Sequence, residues 1–217
     1  MFFRLAIKSI LNRKGSVIMT LMAISVAIFV LLGIEHIRNQ ARDSFASTVS
    51  GVDLIVGAKT GSLNLLLYSV FRMGAPTDNI SWEAFEEIAS GPNVAWAVPI
   101  SLGDSHKGYR VLGTTSAYFN HFSYGNKRKL AFADGVPFDG TYDVVLGAEV
   151  ARTLAYPLSQ KIILAHGVAI TSFTLHENHP FTVKGILEPT GTPVDQTIHV
   201  PLQGIEAMHA KGPPGLG

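Results

Sequence analysis

Residues 52–72 form a strand-like run, a glycine-containing turn and a helix-like apolar run, which is the layout of a phosphate-binding loop. A loop of the Walker type requires G-x-x-x-x-G-K-[ST], in which the lysine after the second glycine reaches the phosphates. Here Gly57 and Gly61 are four positions apart, Lys59 lies between them, and Ser62 follows Gly61. Because the lysine is in the wrong place, the sequence predicts a turn of the fold and not a nucleotide site.

Histidines are the second set of residues that could carry chemistry, because zinc accepts imidazole and carboxylate ligands. The weak candidates for a metal site lie in one predicted hairpin turn and on neighbouring predicted strands: His166, His176, His179 and His199. The H-x-x-H pattern in a turn has little specificity, because histidine is common in turns and on surfaces. We therefore interpret these side chains as structural or solvent-exposed and predict no metal site.

Residues 101–106 bring serine, aspartate and histidine close together in the sequence, as Ser101, Asp104, Ser105 and His106. These residue types serve in hydrolases, but no nucleophile elbow of the G-x-S-x-G kind is present. The members of a catalytic triad normally converge from distant segments, so closeness in sequence is weak support. We predict no catalytic residue and no enzyme activity in this chain.

The composition indicates which elements must position these residues. Of the 217 residues, 47% are hydrophobic and only 15% are charged, which predicts a membrane segment attached to a folded domain. Cysteine is absent, which excludes disulfides and thiolate metal sites. The net charge of +1, with no basic stripe interleaved with aromatic residues, argues against nucleic-acid binding.

Residues 16–34, from Ser16 to Ile34, form an uncharged apolar run, and a helix needs about 20 such residues to cross a bilayer. A signal peptide is the rival interpretation, but its apolar core has only about 7–15 residues and ends in a small-x-small cleavage site. Here the run leads into Glu35 instead. By the positive-inside rule, four basic residues keep the N-terminus cytoplasmic and place the bulk of the chain outside: Arg4, Lys8, Arg13 and Lys14.

Two flanking segments extend this predicted membrane span. Residues 1–15 are either an amphipathic arm on the cytoplasmic membrane surface or a plain basic flank that only sets topology. Residues 35–50 keep helical spacing without glycine or proline and predict a stalk, whose key positions are Ile37, Gln40, Ala41 and Phe45. A stalk of this kind can carry motion between compartments, or it can be a spacer.

Residues 51–217 alternate predicted strands and helices, so the predicted fold class is α+β, with a mixed α/β extracytoplasmic domain after the membrane helix and stalk. Strands are predicted at 52–56, 94–100, 108–114, 142–146, 160–166, 168–176 and 180–188. Helices are predicted at 63–71, 81–90, 147–155 and 202–209. The leucine-rich helix at 63–71 is apolar on nearly every face, which favours either full burial or contact with another subunit.

Several segments resemble, in order, one branch of the MacB-type, or FtsX-like, ABC transporter permeases. They are DLIVGAKTGSLNLLLYSVFRMG followed by PTDNI, YRVLGTT, VVLGAEVAR and FTVKGILEPTGTPVDQTIHVPL. The most specific are VLGAEVA and the VxGIL-x-PTGTPVD block. The resemblance covers about residues 1–209, together with the basic start and the membrane helix.

The resemblance implies a permease subunit in the inner membrane, single-pass as given, that contains no cofactor of its own. ATP and magnesium would bind a separate cytoplasmic ABC ATPase, and the permease would pair with itself or with a related permease. Its substrate, handled outside the cytoplasm, stays unknown. Family permeases have four membrane helices, and no second run of 18 apolar residues occurs here. The sequence therefore predicts the N-terminal half of a permease, with an incomplete periplasmic core domain.

The alternative is a membrane-anchored binding or accessory module that has no ATPase and handles metal through its histidines. Copurification of an ATPase would favour the permease, and tight zinc binding without an ATPase would favour the accessory module.

Overall fold

A computed structural model describes residues 13–48, 50–74, 78–166 and 179–209, with the backbone alone for residues 40–47 and for His166. The chain divides into two compact units, Met1–Phe45 and Ala46–Gly217. The described residues of the first unit belong to helix α1, Lys14–Thr48, apart from Arg13. Residues Lys14–Asn39 are long and apolar enough to cross a membrane, and none of their most apolar stretch is buried.

The predicted membrane and stalk positions map onto α1 as follows. Ser16 and Ile34 lie in its apolar part, Ile37 is 69% exposed, and Gln40, Ala41 and Phe45 continue the helix without a break. Arg13 and Lys14 are exposed at its start, whereas Arg4 and Lys8 lie outside the described residues. The helix is continuous because residues 16–48 contain no proline and only one glycine, Gly33, to weaken it.

The second unit contains a mixed sheet, and the predicted α+β fold class is confirmed. Its described strands are β1 Ser101–His106, β2 Tyr109–Thr114, β5 Phe132–Gly135, β6 Asp143–Leu146, β7 Lys161–Ile162, β8 Ala165–His166, β9 Phe181–Leu187 and β10 Thr197–Pro201. A separate two-stranded sheet pairs β3 Ser123–Tyr124 with β4 Arg128–Lys129. The main order is β5-β9-β6-β10-β2-β1-β8, with β7 beside β9. The pairs β10–β2 and β6–β9 are parallel and the other pairs are antiparallel.

Five described helices accompany the sheets: α2 Ser62–Ser69, α3 Trp82–Ala89, α4 Ala117–His121, α5 Ala148–Leu154 and α6 Leu202–His209. A short 3-10 turn, Pro193–Gln196, precedes β10. The central strands are buried on both faces. Successive side chains of a strand point to opposite sides, so one strand contributes to two apolar clusters. On β6, Val144 and Leu146 join one apolar cluster with α5 and α6, whereas Val145 joins the other with the aromatic side chains of α4.

Two predicted strands are wrong. Residues 52–56 and 94–100 form no strand, and the neighbouring strand β1 begins only at Ser101. Their alternating apolar residues satisfied the pattern, but a strand also needs a partner for its backbone groups, which an alternation pattern cannot reveal.

Among the other predicted elements, some agree with the structure and others differ from it. The predicted strand 160–166 is split into β7 and β8, and the predicted strand 168–176 lies outside the described residues. The predicted switch from strand to helix at Gly147 is confirmed, since β6 ends at Leu146 and α5 begins at Ala148. A Cβ atom at Gly147 would collide with the backbone carbonyls of Val194 and Asp195, so only glycine fits there.

Candidate functional site

The glycine turn at residues 57–61 is part of the packing of α2. A side chain at Gly57 would collide with Leu65 of α2, so the missing Cβ atom lets the two segments approach closely. Lys59 is exposed, and α2 begins at Ser62 with Gly61 as its N-cap. These positions agree with the predicted role as an element of the fold.

The histidines proposed as weak metal candidates are not gathered at one place among the described residues. His166 is on β8 and His199 on β10, and these strands are not neighbours, because β1 and β2 lie between them. His179 stacks on Tyr142, with 5.4 Å between the ring centroids. His176 lies outside the described residues. Within the described ranges, no group of three or more His, Asp or Glu side chains could hold a metal ion.

The serine, aspartate and histidine of residues 101–106 lie on strand β1 and do not form a triad. The ring of His106 is bound at both nitrogens: Nδ1 lies 2.7 Å from the carbonyl oxygen of Ile163, and Nε2 lies 3.0 Å from the hydroxyl of Tyr156. Asp104 is almost fully buried and faces His209 of α6, with 3.6 Å between Oδ1 and Nε2. Both side chains therefore serve to attach neighbouring segments to the sheet.

The feature that sequence reasoning missed is a buried polar group centred on Arg72, just after α2. Arg72 is only 7% exposed and adopts a left-handed backbone conformation, with φ of 59°. Its guanidinium donates one hydrogen bond to the carbonyl oxygen of Ser69 and another, of 3.2 Å, to the hydroxyl of Tyr118. The first bond satisfies a carbonyl at the end of α2, where a cation is also favoured by the helix dipole.

His199 lies in the same region of the core, and its ring centroid is 5.3 Å from that of Tyr118. Burial lowers the pKa of His199 to about 3, with a further contribution from the positive charge of Arg72. The neutral ring donates from Nδ1 to the carbonyl oxygen of Val145 at 3.3 Å, because a carbonyl can only accept. Burial likewise raises the pKa of Tyr118, although Arg72 opposes that shift. We call Arg72, Tyr118 and His199 the Arg72 cluster.

A second polar contact attaches α2 to the sheet. The hydroxyl of Tyr68 donates to the carbonyl oxygen of Leu102 at 2.5 Å and accepts from the amide of the same residue at 3.1 Å. Further upstream, the amide of Ser50 donates to the carbonyl oxygen of Ser123 at 2.9 Å. Residues 50–74 are therefore fixed to the rest of the domain at separate points by hydrogen bonds. This arrangement is suited to positioning a segment and contains no reactive group.

The two most specific sequence motifs meet in space. Residues 148–152 and residues 189–196 line a shallow cleft of about 430 Å³. The loop on one side is organised by the carboxylate of Asp195, which accepts from the amide of Gly191 at 2.8 Å and from both the amide and the hydroxyl of Thr190. On the other side Arg152 pairs with Glu149 at 2.7 Å. The two motifs thus place α5 and this loop next to each other.

A family model described as the MacB-like periplasmic core domain matches residues 17–214. The chain belongs to this family. The resemblance to MacB-type ABC transporter permeases that the sequence predicts is therefore confirmed at the level of the family. A MacB-like periplasmic core domain, together with one apolar helix of spanning length, indicates a membrane-anchored chain with an extracytoplasmic domain.

Two solved structures are similar to this MacB-like domain. One is the extracellular domain of the noncanonic ABC-type transporter YknZ from Gram-positive bacteria, at 17% identity and a TM-score of 0.40 over 59% of this chain. The other is the periplasmic region of MacB from Actinobacillus actinomycetemcomitans, at 13% identity and a TM-score of 0.42 over 62% of this chain. The chain spans 65% and 60% of these two structures, respectively. No curated protein matches it significantly.

The signal for the Arg72 cluster in this MacB-like domain was weak but present. Arg72 is the one cation between Lys59 and Lys107, and it follows a helix that carries no other charge. A lone arginine after an apolar helix suggests a cap for the helix carbonyls. Tyr118 and His199 could not be connected with it from the sequence, because they come from segments 46 and 127 residues further along the chain.

Proposed function

We propose that this chain is the permease subunit of an ABC transporter of the MacB or FtsX-like mechanotransmission type. A separate cytoplasmic ATPase would bind and hydrolyse ATP with magnesium, and its movements would reach the extracytoplasmic domain through helix α1. The permease would work as a homodimer or with a related permease. The observation that carries this proposal is the match to the MacB-like periplasmic core domain, which begins within the apolar helix and continues through the sheet.

The form of α1 supports a mechanical role. It is one helix of 35 residues that continues past the apolar part without interruption. At about 1.5 Å per residue, such a helix is roughly 50 Å long, more than a bilayer core requires. Thr48 at its end is buried, and Ser50 is hydrogen-bonded to the sheet unit through Ser123. Motion of the last turn of α1 would therefore be transmitted to residues that are themselves attached to the folded domain.

The proposed orientation places the N-terminus in the cytoplasm and the sheet unit outside. The basic residues before the apolar run support this, because cations are retained on the cytoplasmic side. The chain is free of cysteine, so single cysteines at Ser9 and Ser116 can report the topology. An impermeant thiol reagent should label only Ser116→Cys in intact cells, and labelling of both positions would contradict the orientation.

The mechanical role is tested by changing the stiffness of α1 at Gln40. Gln40→Pro removes a backbone donor and clashes with the preceding turn, at a cost of about 3 kcal/mol or more in a helix interior. Gln40→Ala is the matched control, since alanine favours the helix. In a transporter assembled with its ATPase, the proline variant should hydrolyse ATP but lose transport or substrate release, whereas the alanine variant should retain both.

Two results would count against the proposal in different ways. If Gln40→Pro supports normal transport, α1 is a passive tether and the mechanical role is wrong. If no ATPase copurifies with the chain while zinc binds tightly, the accessory-module alternative replaces the permease. The position of His199 gives that alternative no support, because its ring is fully buried and its Nδ1 is bound to Val145.

A further inference from the structure

We propose that the apolar face of helix α3 is the docking surface for a cationic amphipathic helix of a separate extracytoplasmic protein. We call Trp82, Phe85 and Ile88 of this helix the α3 face. The proposal does not depend on coupling to an ATPase, because it concerns a surface of this chain alone.

The first observation is that α3 is amphipathic but contributes nothing to the core. Trp82, Phe85 and Ile88 recur at intervals of three and so lie on one side of the helix. Trp82 is 52% exposed, and no residue of α3 is buried. Among the described residues, neither apolar cluster of the domain includes a side chain from residues 78–97. An apolar helix face outside the core is typical of an interaction site.

The second observation is that this segment is ordered by its own contacts and held on the domain. The side chain of Ser81 accepts from the amide of Ala84 at 3.2 Å and caps the helix. The indole nitrogen of Trp82 donates to Glu86 at 2.8 Å, and the ring lies 5.0 Å from that of Phe85. Further on, Trp96 stacks on His121 of α4 with a centroid distance of 4.7 Å. The exposed aromatic surface is thus pre-formed, which lowers the entropy cost of binding.

The third observation is the charge around the face, which identifies the partner. Between Arg72 and Lys107 the chain has no lysine or arginine, and its exposed charges are all acidic: Asp78, Glu83, Glu86 and Glu87. Hydrogen bonds from its own backbone amide and from the Ser81 hydroxyl lower the pKa of Glu83, which keeps its carboxylate ionised. Contacts bring two cations towards the ends of this segment: Arg110 donates to the carbonyl oxygen of Gly74 at 2.5 Å, and Lys129 donates to the carbonyl oxygen of His121 at 3.1 Å, beyond Trp96.

A cationic amphipathic helix complements both properties, because its apolar side would cover the aromatic rings while its lysine or arginine residues pair with the glutamates. Two other occupants are disfavoured by the same charges. A second copy meeting this face in a two-fold contact would place like charges opposite each other. A membrane with anionic lipids would repel the carboxylates.

The experiment uses the full chain in nanodiscs of zwitterionic lipid. The probe is an 18-residue synthetic helix of leucine and lysine with a photo-activatable benzophenone group. A leucine–glutamate helix and a glutamine–lysine helix of the same length are the peptide controls. Cross-linked sites are mapped by mass spectrometry at low and high salt. We expect the leucine–lysine helix alone to cross-link to residues 78–97, with a yield that falls at high salt.

Matched variants separate the α3 face from the rest of the surface. Glu83→Gln with Glu87→Gln, and separately Trp82→Ala, should each lower the yield at least about fivefold, since aromatic anchors and charges dominate such interfaces. Glu188→Gln with Glu206→Gln, and Val136→Ala, should leave it unchanged. Those control glutamates are exposed, and Val136 is exposed to the same 52% as Trp82.

Three outcomes would overturn the proposal. One is equal cross-linking by the leucine–glutamate helix, and another is an unchanged yield in the α3 variants when their circular dichroism matches the parent. The third is rapid disulfide formation between copies carrying Ser90→Cys at the C-terminal end of α3, which would assign the face to a second copy.

Discussion

Residues 50–97 and residues 98–209 belong to the same compact unit, yet they bury their side chains differently. Among the described residues, Val70 is the one buried hydrophobic side chain of the first region, Tyr68 packs against the core from its edge, and the other buried hydrophobic side chains come from the second region. The first region is held by hydrogen bonds at Ser50, Tyr68 and Arg72 and leaves Leu54, Leu63 and Trp82 exposed. The second is held by apolar contact on both faces of a sheet.

This difference shows which region can respond to motion. Apolar packing in a sheet is lost cooperatively, whereas a segment attached at a few polar points can shift or open locally at a lower free energy. The residues that follow α1 in the sequence are those of the lightly packed region. Under the proposed function, motion of α1 would act first on this lightly packed region.

The largest expected effect is in the sheet. Phe181 is fully buried on β9, and Phe181→Ala should lower the free energy of unfolding by about 3–5 kcal/mol, because the change leaves a cavity. Trp82→Ala removes a larger side chain from the first region but should cost less than about 1 kcal/mol, since the ring is half exposed. Urea denaturation of the chain in detergent measures both, and similar losses would contradict the comparison.

A pH-dependent effect comes next in size. The pKa of His199 is about 3 in the folded protein, below the ordinary value of about 6.5. The unfolded chain therefore binds a proton that the folded chain does not, and stability falls as the pH drops from about 6.5 towards 3. At pH 4 the loss from this group should be about 3 kcal/mol.

The matched variant for this prediction is His199→Leu, compared with the parent at pH 7 and pH 4. The difference in unfolding free energy between the two pH values should shrink in the variant. His106, whose pKa burial also lowers, contributes a loss of the same sign that remains in both proteins. If the unfolding free energies of the parent and the variant depend on pH to the same extent, protonation of His199 does not destabilise the folded protein.

The smallest expected effect concerns how the lightly packed region is attached. Arg72→Ala leaves the carbonyl of Ser69 and the hydroxyl of Tyr118 without their donor, and should cost about 1–3 kcal/mol. Arg110 also holds this region, through a bond of 2.5 Å to the carbonyl oxygen of Gly74, but it does so at the surface. Arg110→Ala should therefore cost less than about 1 kcal/mol.

Hydrogen exchange gives a sharper measurement of the same variants. Arg72→Ala should speed amide exchange in residues 62–74 while leaving strands β6 and β10 protected. Equal acceleration in both regions would mean that the two regions open together and that the comparison does not hold.

Part of the sheet was predictable, because some of its strands carry strong patterns, whereas β1, β5 and β10 were not predicted. β2, β6 and β9 were predicted within a residue or two, since their apolar runs end at clear turns. The runs at 52–56 and 94–100 carry the same alternation but form no strand. The sequence could not separate these cases, because a strand depends on a neighbour that supplies hydrogen bonds.

The sequence by itself determined the apolar helix, the α+β class and the resemblance to MacB-type permeases, because length, hydropathy and short motifs are local properties. Only the tertiary structure decided that Arg72, Tyr118 and His199 meet in the core, that the GAEVA and PTGTPVD segments face each other, and that the apolar side of α3 stays partly exposed. These features depend on pairings between segments far apart in the chain, and the loop closures that bring such segments together leave no periodic signal in the sequence.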